Sequence, residues 1–492
     1  MQKLILLLLL FGVSLTLLHA QHEEQTYYPV DDPLVKAKLD QWQDMKFGLL
    51  MHWGAYSQWG IVESWSICPE DYGWCQRKKE GTPDTYYEYV QAYENLQTTF
   101  NPTGFEPERW AEAARGAGMK YLVFTTKHHD GFCMFDSKYT DYKITGAKTP
   151  FSQHPRANVT REIFDAFRAE GLWAGAYFSK PDWHSDDYWW PYFPPRDRNV
   201  NYDPAAYPER WERFVQYNHN QIMELLTDYG KVDILWLDGG WVQKSDKEDL
   251  QQYYTRQMAG LETGFHKSSM VNQDIRMDEL VQKARQQQPG LIVVDRAVEG
   301  PNQNYLTPEN RVPEKALPYP WESCIIAGGG WSYSPNATYM SGQQAVHLLV
   351  DIVCKGGNLL YNIAPSPEGT WDEDAYRLLR EIGDWMDINS EAIYATRAIA
   401  PYATGKVSYT RKKDSNTIYA IYRAAEEETT LPARIQIDDF VPVEGSEVYL
   451  LGHDQPLSWS RNGTGFLIEL PRALRQNPPG DYAWTFKIEA GL

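Results

Sequence analysis

Apolar positions along this chain change their period in a regular way. Between about residue 33 and residue 388, short runs of consecutive apolar residues alternate with longer stretches in which apolar residues recur every three or four positions. The short runs read as strands buried on both faces, the longer stretches as amphipathic helices. A helix over 33–45 precedes the strand KFGLLMHWG. A second helix starts at Pro107, presents Trp110, Ala113, Ala114 and Ala117 on one face, stops at Gly118, and precedes a strand over 120–126. Helix 161–170 leads to strand 173–178, helix 209–229 to strand 232–237, and helix 279–288 to strand 291–294. Helix 343–354 leads to strand 358–363, and a last helix over 372–388 closes the series. Strands alternating with helices, with polar residues gathered at strand C-terminal ends, predict an α/β fold, a (β/α)8-like TIM barrel. No glycine fingerprint follows the first strand, which argues against a nucleotide-binding sheet.

Near Thr396 the period becomes two. Short alternating runs follow, NTIYAIY, ARIQI, SEVYLL, GFLIEL and YAWTFKI, separated by Gly, Pro, Asn and Asp. They predict an antiparallel β-sandwich. The expected organisation is a signal peptide over 1–20, a catalytic barrel over 21–395 and a C-terminal β-sandwich domain over 396–492.

The leader reading rests on Lys3, the apolar run from Leu4 to Leu18, and Ala20 at the expected cut. It predicts a secreted or periplasmic protein with no membrane span after cleavage. No cysteine follows the run, so a lipoprotein anchor is not indicated. A net charge of −19 argues against nucleic acid, whose binding needs basic surface. The aromatic content of 14%, with 19 Trp and 33 Tyr, suits stacking on the apolar faces of sugars. The five cysteines make no disulfide framework, although Cys68 and Cys75 are close enough in one loop to bridge. Cys133, Cys324 and Cys354 read as buried thiols. No metal spacing and no phosphate-cradling loop is visible, so neither metal nor cofactor is expected.

The chemistry gathers at strand ends. In KVDILWLDGGW, Asp238 closes a buried strand and precedes Gly239, Gly240 and Trp241. An Asp-Gly pair by itself marks only a turn; at a barrel strand end it becomes a candidate nucleophile. A carboxylate nucleophile acting on an acetal needs a partner that protonates the leaving oxygen and later deprotonates water. Glu299, Glu309 and Glu322 all follow Asp295-Arg296 in one long loop-rich segment, and spacing does not choose among them. His52 ends the first strand, where a histidine beside Trp53 is more often structural than catalytic. His128 and His129 end the second. Adjacent residues of a strand point to opposite faces, so both face one pocket only where the strand has already become a loop. Tyr177 and Phe178 pose the same alternative.

Taken together, HWG at 52–54, KHHDGF at 127–132, DSKYTDY at 136–142, LWLDG at 235–239, TPE at 307–309 and WESC at 321–324 resemble glycoside hydrolase family 29, the α-L-fucosidases, in a bacterial secreted form. LLYNIAPSPEGTW at 359–371 and EAIYATR at 391–397 continue the likeness. The resemblance implies a retaining exo-acting hydrolase on carbohydrate with terminal α-L-fucose. It implies Asp238 as nucleophile, Arg296 as the arginine after the next strand, and Glu309, in its TPE stretch, as acid/base. It assigns His52, His128 and His129 to the sugar hydroxyls and Trp236 to the aromatic beside the sugar. Glu63 and Trp65 correspond to an adjacent Glu-Trp pair of the family, here separated by Ser64, and Tyr177 to the tyrosine of the strand before Asp238. Rival readings are an α-L-galactosidase on the same machinery and a non-catalytic carbohydrate-binding protein; dead relatives usually lose a carboxylate, and this chain keeps both kinds.

Overall fold

The computed structural model describes residues 25–259 and 269–491; the expected leader lies outside the described residues. Seven parallel strands form one curved sheet in the order β5-β4-β3-β2-β1-β7-β6. They are β1 (Phe47–Met51), β2 (Tyr121–Lys127), β3 (Trp173–Ser179), β4 (Ile234–Asp238), β5 (Ile292–Asp295), β6 (Glu322–Ile326) and β7 (Asn358–Asn362). The helices that the apolar period predicted lie where expected, among them Pro33–Met45, Pro208–Asp228 and Gly342–Cys354. Two further helices of the barrel domain, Tyr86–Glu94 and Lys247–Ala259, fall in segments for which the sequence predicted no element.

No strand pairing joins β5 to β6 directly. The gap is filled by the stretch 303–309, which first runs antiparallel to β5 through Gln303 and Val294 and then parallel to β6 through Leu306 with Trp321 and Glu309 with Cys324. This corrects the reading of 296–322 as one loop-rich segment. Part of it is the eighth stave of the barrel, and Glu322 is the first residue of a strand. Closure satisfies backbone groups that a sheet edge would leave open. It also carries Glu309 upward to the C-terminal mouth.

Side chains alternate across the sheet. Leu50, Val123, Tyr177, Trp236, Val294 and Leu360 fill the barrel, whereas Leu49, Phe124, Phe178, Leu237 and Tyr361 face the helices. Tyr177, not Phe178, is therefore the inward residue of its pair. The helix Pro33–Met45 plugs the N-terminal end, where Trp42 stacks on Tyr305 at 4.0 Å. At Gly48, a Cβ would meet the Tyr121 ring at 2.3 Å. The missing side chain lets that ring cross the barrel, where its hydroxyl donates to Glu322 Oε2 at 2.5 Å.

From Thr396 onward an antiparallel five-stranded sheet faces a three-stranded one over an apolar core that includes Ile418, Ile437, Phe466 and Phe486. Three of its strands, Thr396–Thr404, Val407–Lys412 and Ser458–Asn462, are additional to those predicted. Arg397 and Lys413 bind Asp40 and Asp44 on the plugging helix, tying this domain to the barrel's closed end, away from the mouth. No described helix is long and apolar enough to cross a membrane.

Candidate active site

The mouth of the barrel gathers the predicted polar residues around Asp238. Its side chain is 15% exposed and takes a hydrogen bond from the Tyr177 hydroxyl at 2.7 Å on Oδ2 and one from Arg296 at 3.2 Å on Oδ1. His129 Nε2 is 3.8 Å from Oδ2. Burial by itself would raise this carboxyl, but Arg296, then His129 and the Tyr177 bond, hold it well below the usual carboxylate range. It is ionised at any working pH. Gly239 then turns the chain with φ +89°, and a Cβ there would meet Pro181 at 2.3 Å. The Asp-Gly pair is thus both a turn and a presenter of the carboxylate.

Arg296 follows β5. Below it, Lys180 donates to Asp295 Oδ1 at 2.5 Å, tying the ends of β3 and β5 together. The other terminal nitrogen of Arg296 donates to Glu309 Oε2, so one guanidinium holds both carboxylates. The Trp331 indole donates to Glu309 Oε1 at 3.2 Å. The Glu309 side chain is 39% exposed against 15% for Asp238, so Asp238 lies deeper and Glu309 stands at the rim.

The other two glutamates are elsewhere. Glu299 is exposed, and its Oε1 accepts from the Thr26 backbone at 3.2 Å. Glu322 is fully buried at the opposite, N-terminal end of the barrel. Burial pushes its carboxyl up to about 7 in spite of the Tyr121 bond.

Strand β2 ends at Lys127, so His128 and His129 already lie in a turn, and their rings come together at 4.1 Å. His128 Nδ1 is hydrogen-bonded to Ser64 Oγ at 2.5 Å. The residue inserted between Glu63 and Trp65 therefore secures a histidine of the pocket. His52 Nδ1 donates to Asn362 Oδ1 at 3.0 Å. Burial pushes His52 down to about 4 and His129 to about 3, so both rings are neutral, and His52 Nε2 is left as an acceptor. Among the described residues neither ring nitrogen of His129 has a hydrogen-bond partner, the condition of a group waiting for a ligand hydroxyl.

Glu63 is buried with φ +30°, and its Oε1 has no hydrogen-bond partner among the described residues. Burial and then the charge of Glu309 push it up to about 8, so it keeps its proton at neutral pH. Trp65 meets His129 edge-on at 5.1 Å, as does Trp241. Trp236 lies one layer deeper. It is 2% exposed, stacks on Tyr177 at 5.2 Å and carries the Arg296 guanidinium over its face at 5.2 Å.

His128, His129 and Asp238 are close enough to surround a cation. Arg296 already supplies positive charge there, and a second cation beside it would be repelled.

Sequence reasoning missed Asn362, Ser64, Trp183, whose ring lies 5.1 Å from that of His129, and Arg198, whose guanidinium lies over the rings of Trp65 and Trp241. Asn362 carried a usable signal, a polar residue at a barrel strand's C-terminal end; its Nδ2 donates to the Trp331 carbonyl at 2.8 Å. Arg198 carried none, since it reaches the site from a proline-rich loop.

Residues 14–391 match the family model described as alpha-L-fucosidase, and residues 401–489 the model of the alpha-L-fucosidase C-terminal domain. Human plasma alpha-L-fucosidase is 28% identical, over 95% of this chain and 93% of that protein. The rat plasma enzyme is also 28% identical, over 98% of both. Among solved structures, alpha-L-fucosidase isoenzyme 1 from Paenibacillus thiaminolyticus superposes with a TM-score of 0.71 at 28% identity, over 93% of this chain and 100% of that one. The α-fucosidase of Thermotoga maritima shares the fold with a TM-score of 0.68 at 24% identity, covering 94% of this chain and 100% of that one. With a barrel whose mouth presents two carboxylates on one arginine, and with both family models matched across nearly its whole length, the chain belongs to the α-L-fucosidase family of glycoside hydrolases.

Proposed function

We propose that this protein is a retaining exo-α-L-fucosidase that removes terminal α-L-fucosyl residues from oligosaccharides or glycoconjugates. The observation that carries the reading is the single guanidinium of Arg296 in contact with both Asp238 and Glu309. A retaining enzyme keeps its two carboxyl groups close together, about 5–5.5 Å apart, and a guanidinium bonded to both side chains holds Asp238 and Glu309 beside each other.

In the first half-reaction an Asp238 oxygen attacks the anomeric carbon. The glycosidic C–O bond breaks as Glu309 gives its proton to the leaving oxygen. In the second, Glu309 takes a proton from water, the water oxygen displaces Asp238, and the sugar departs with its configuration retained. Tyr177 and Arg296 disperse the charge of Asp238 and aim it. The neutral histidines and protonated Glu63 offer fixed partners to hydroxyls without adding charge. The deep nucleophile and the rim-placed acid fit a pocket that takes one terminal sugar and leaves the rest of the chain outside.

Export is part of the proposal and rests on the amino-terminal pattern of Lys3, Leu4 to Leu18 and Ala20. A bacterial origin rests on the sequence motifs alone, as relatives come from animals and bacteria alike.

NMR of an aryl α-L-fucoside during hydrolysis tests the mechanism. The α-anomer of L-fucose is expected first, before mutarotation; β-L-fucose first would overturn the retaining reading.

A further inference from the structure

Beside the sugar pocket, the loop that follows Trp65 holds chemistry the reaction does not use. Two short turns, Trp65–Ile67 and Gly73–Cys75, bring the sulfurs of Cys68 and Cys75 and a carboxylate oxygen of Glu70 within 4.8 Å of one another. Both cysteines are buried, and both are thiols in this structure.

Such a trio also suits a thiophilic cation, but its carboxylate is already committed. Arg198 donates to Glu70 Oε1 through Nε at 2.8 Å and through its backbone N–H at 3.0 Å, and to Oε2 through Nη2 at 2.5 Å. A metal ion would have to displace that guanidinium or sit beside it against its charge. Two adjacent thiols left without a metal have a simpler outcome.

We propose that Cys68 and Cys75 are a disulfide site, and that the cross-link fixes the wall of the sugar pocket. Each sulfur gives up its proton and the two join in one Sγ–Sγ bond. The two electrons pass to the disulfide of the oxidant, oxidised glutathione or a protein disulfide, whose own S–S bond breaks to give two thiols. Because both sulfurs are buried, exchange takes place while the loop is still open during folding.

The consequence for the pocket runs through Arg198. Its guanidinium lies 4.7 Å from the Trp65 ring and 5.1 Å from the Trp241 ring, the two indoles that flank His129. A closed ring around Glu70 holds the Glu70–Arg198 pair, and that pair backs both tryptophans. Closing so short a loop removes little chain entropy compared with a long one, so its effect is on local geometry.

The test uses the full chain produced in an oxidising compartment. Thiols are counted in denaturant without reductant, and the peptides are mapped unreduced. Three of the five cysteines are expected to titrate, with the peptides of Cys68 and Cys75 linked. Five free thiols, a link joining any other pair, or stoichiometric zinc that shields both sulfurs would overturn the disulfide. In the Cys68→Ser/Cys75→Ser variant, kcat/KM on an aryl α-L-fucoside should fall about 2- to 10-fold, chiefly through KM, as expected when a wall shifts and the reacting groups do not. An unchanged KM overturns the link to the pocket. The thiol count needs no turnover, so its failure is distinct from failure of the fucosidase reading.

Discussion

The Tyr177 hydroxyl donates to Asp238 Oδ2 at 2.7 Å from the neighbouring strand. The parallel register sets Tyr177 opposite Trp236 and Ser179 opposite Asp238, so the phenol rises beside the carboxylate and fixes one of its oxygens. Arg296 fixes the other. Two donors from two strands leave Asp238 ionised and oriented before any sugar arrives, which is the preorganisation a nucleophile needs.

Asp238→Ala should therefore abolish turnover without unfolding the protein. A loss of about 10³-fold or more in kcat is expected, as for removal of a covalent nucleophile, with circular dichroism unchanged. Near-normal activity in the folded variant would remove Asp238 from the role.

The acid/base assignment to Glu309 predicts a dependence on the leaving group. A phenolate departs with little help, whereas a sugar alcohol needs its oxygen protonated. Glu309→Ala should damage hydrolysis of fucosyl oligosaccharides far more than that of nitrophenyl fucoside. Glu299→Ala should show no such contrast, since Glu299 is exposed and accepts from the Thr26 backbone, away from Asp238. Glu322→Ala should lower stability, because it strips the buried Tyr121 hydroxyl of its acceptor. A leaving-group contrast at either of those sites would displace Glu309.

Glu322 also predicts how stability varies with pH. Its carboxyl is pushed up to about 7 by burial, from ~4.3 in an unfolded chain. A raised folded value means that the folded state holds the proton more tightly. The contribution is complete below the unfolded value and is lost as pH rises through about 7. Glu322→Gln, which stays neutral, should flatten the fall of stability from about pH 5 to 8 by an amount on the order of 3 kcal/mol at most, seen as a shallower fall of Tm over the same range. Glu63, pushed up to about 8, keeps part of the slope. A pH–Tm curve parallel to that of the wild type would show that Glu322 does not titrate in this window.

The sugar itself is decided at C5, where L-fucose carries a methyl and L-galactose a hydroxymethyl. Trp241 and Trp331 stand at the mouth, beside His129 and His52 respectively, and give it apolar walls. The fucoside should be the better substrate in kcat/KM, by no more than roughly a hundredfold, because an apolar pocket rejects an added hydroxyl only weakly. A galactoside faster by about tenfold or more would require a polar partner at that corner and leave the two carboxylate roles standing.

Much of this architecture was legible in the sequence because its causes are local. Pro33–Met45 and Trp173–Ser179 follow from the period of their apolar residues and from the proline and glycine stops around them. Asp238 was legible because a carboxylate, an apolar run and two glycines are contiguous. The choice among three glutamates belonged to the tertiary structure alone. Glu309 and Glu322 both follow Arg296 closely in the chain, yet irregular backbone pairing sends Glu309 to the mouth and buries Glu322 at the opposite end. The facing of Tyr177, the convergence of His128 with His129, and the meeting of Cys68, Glu70 and Cys75 were decided in the same way. Each depends on where a strand stops or a loop folds back. A residue's neighbours along the chain set its local conformation, whereas the partners that give a pocket its charge and its hydrogen bonds come from strand ends far apart in sequence.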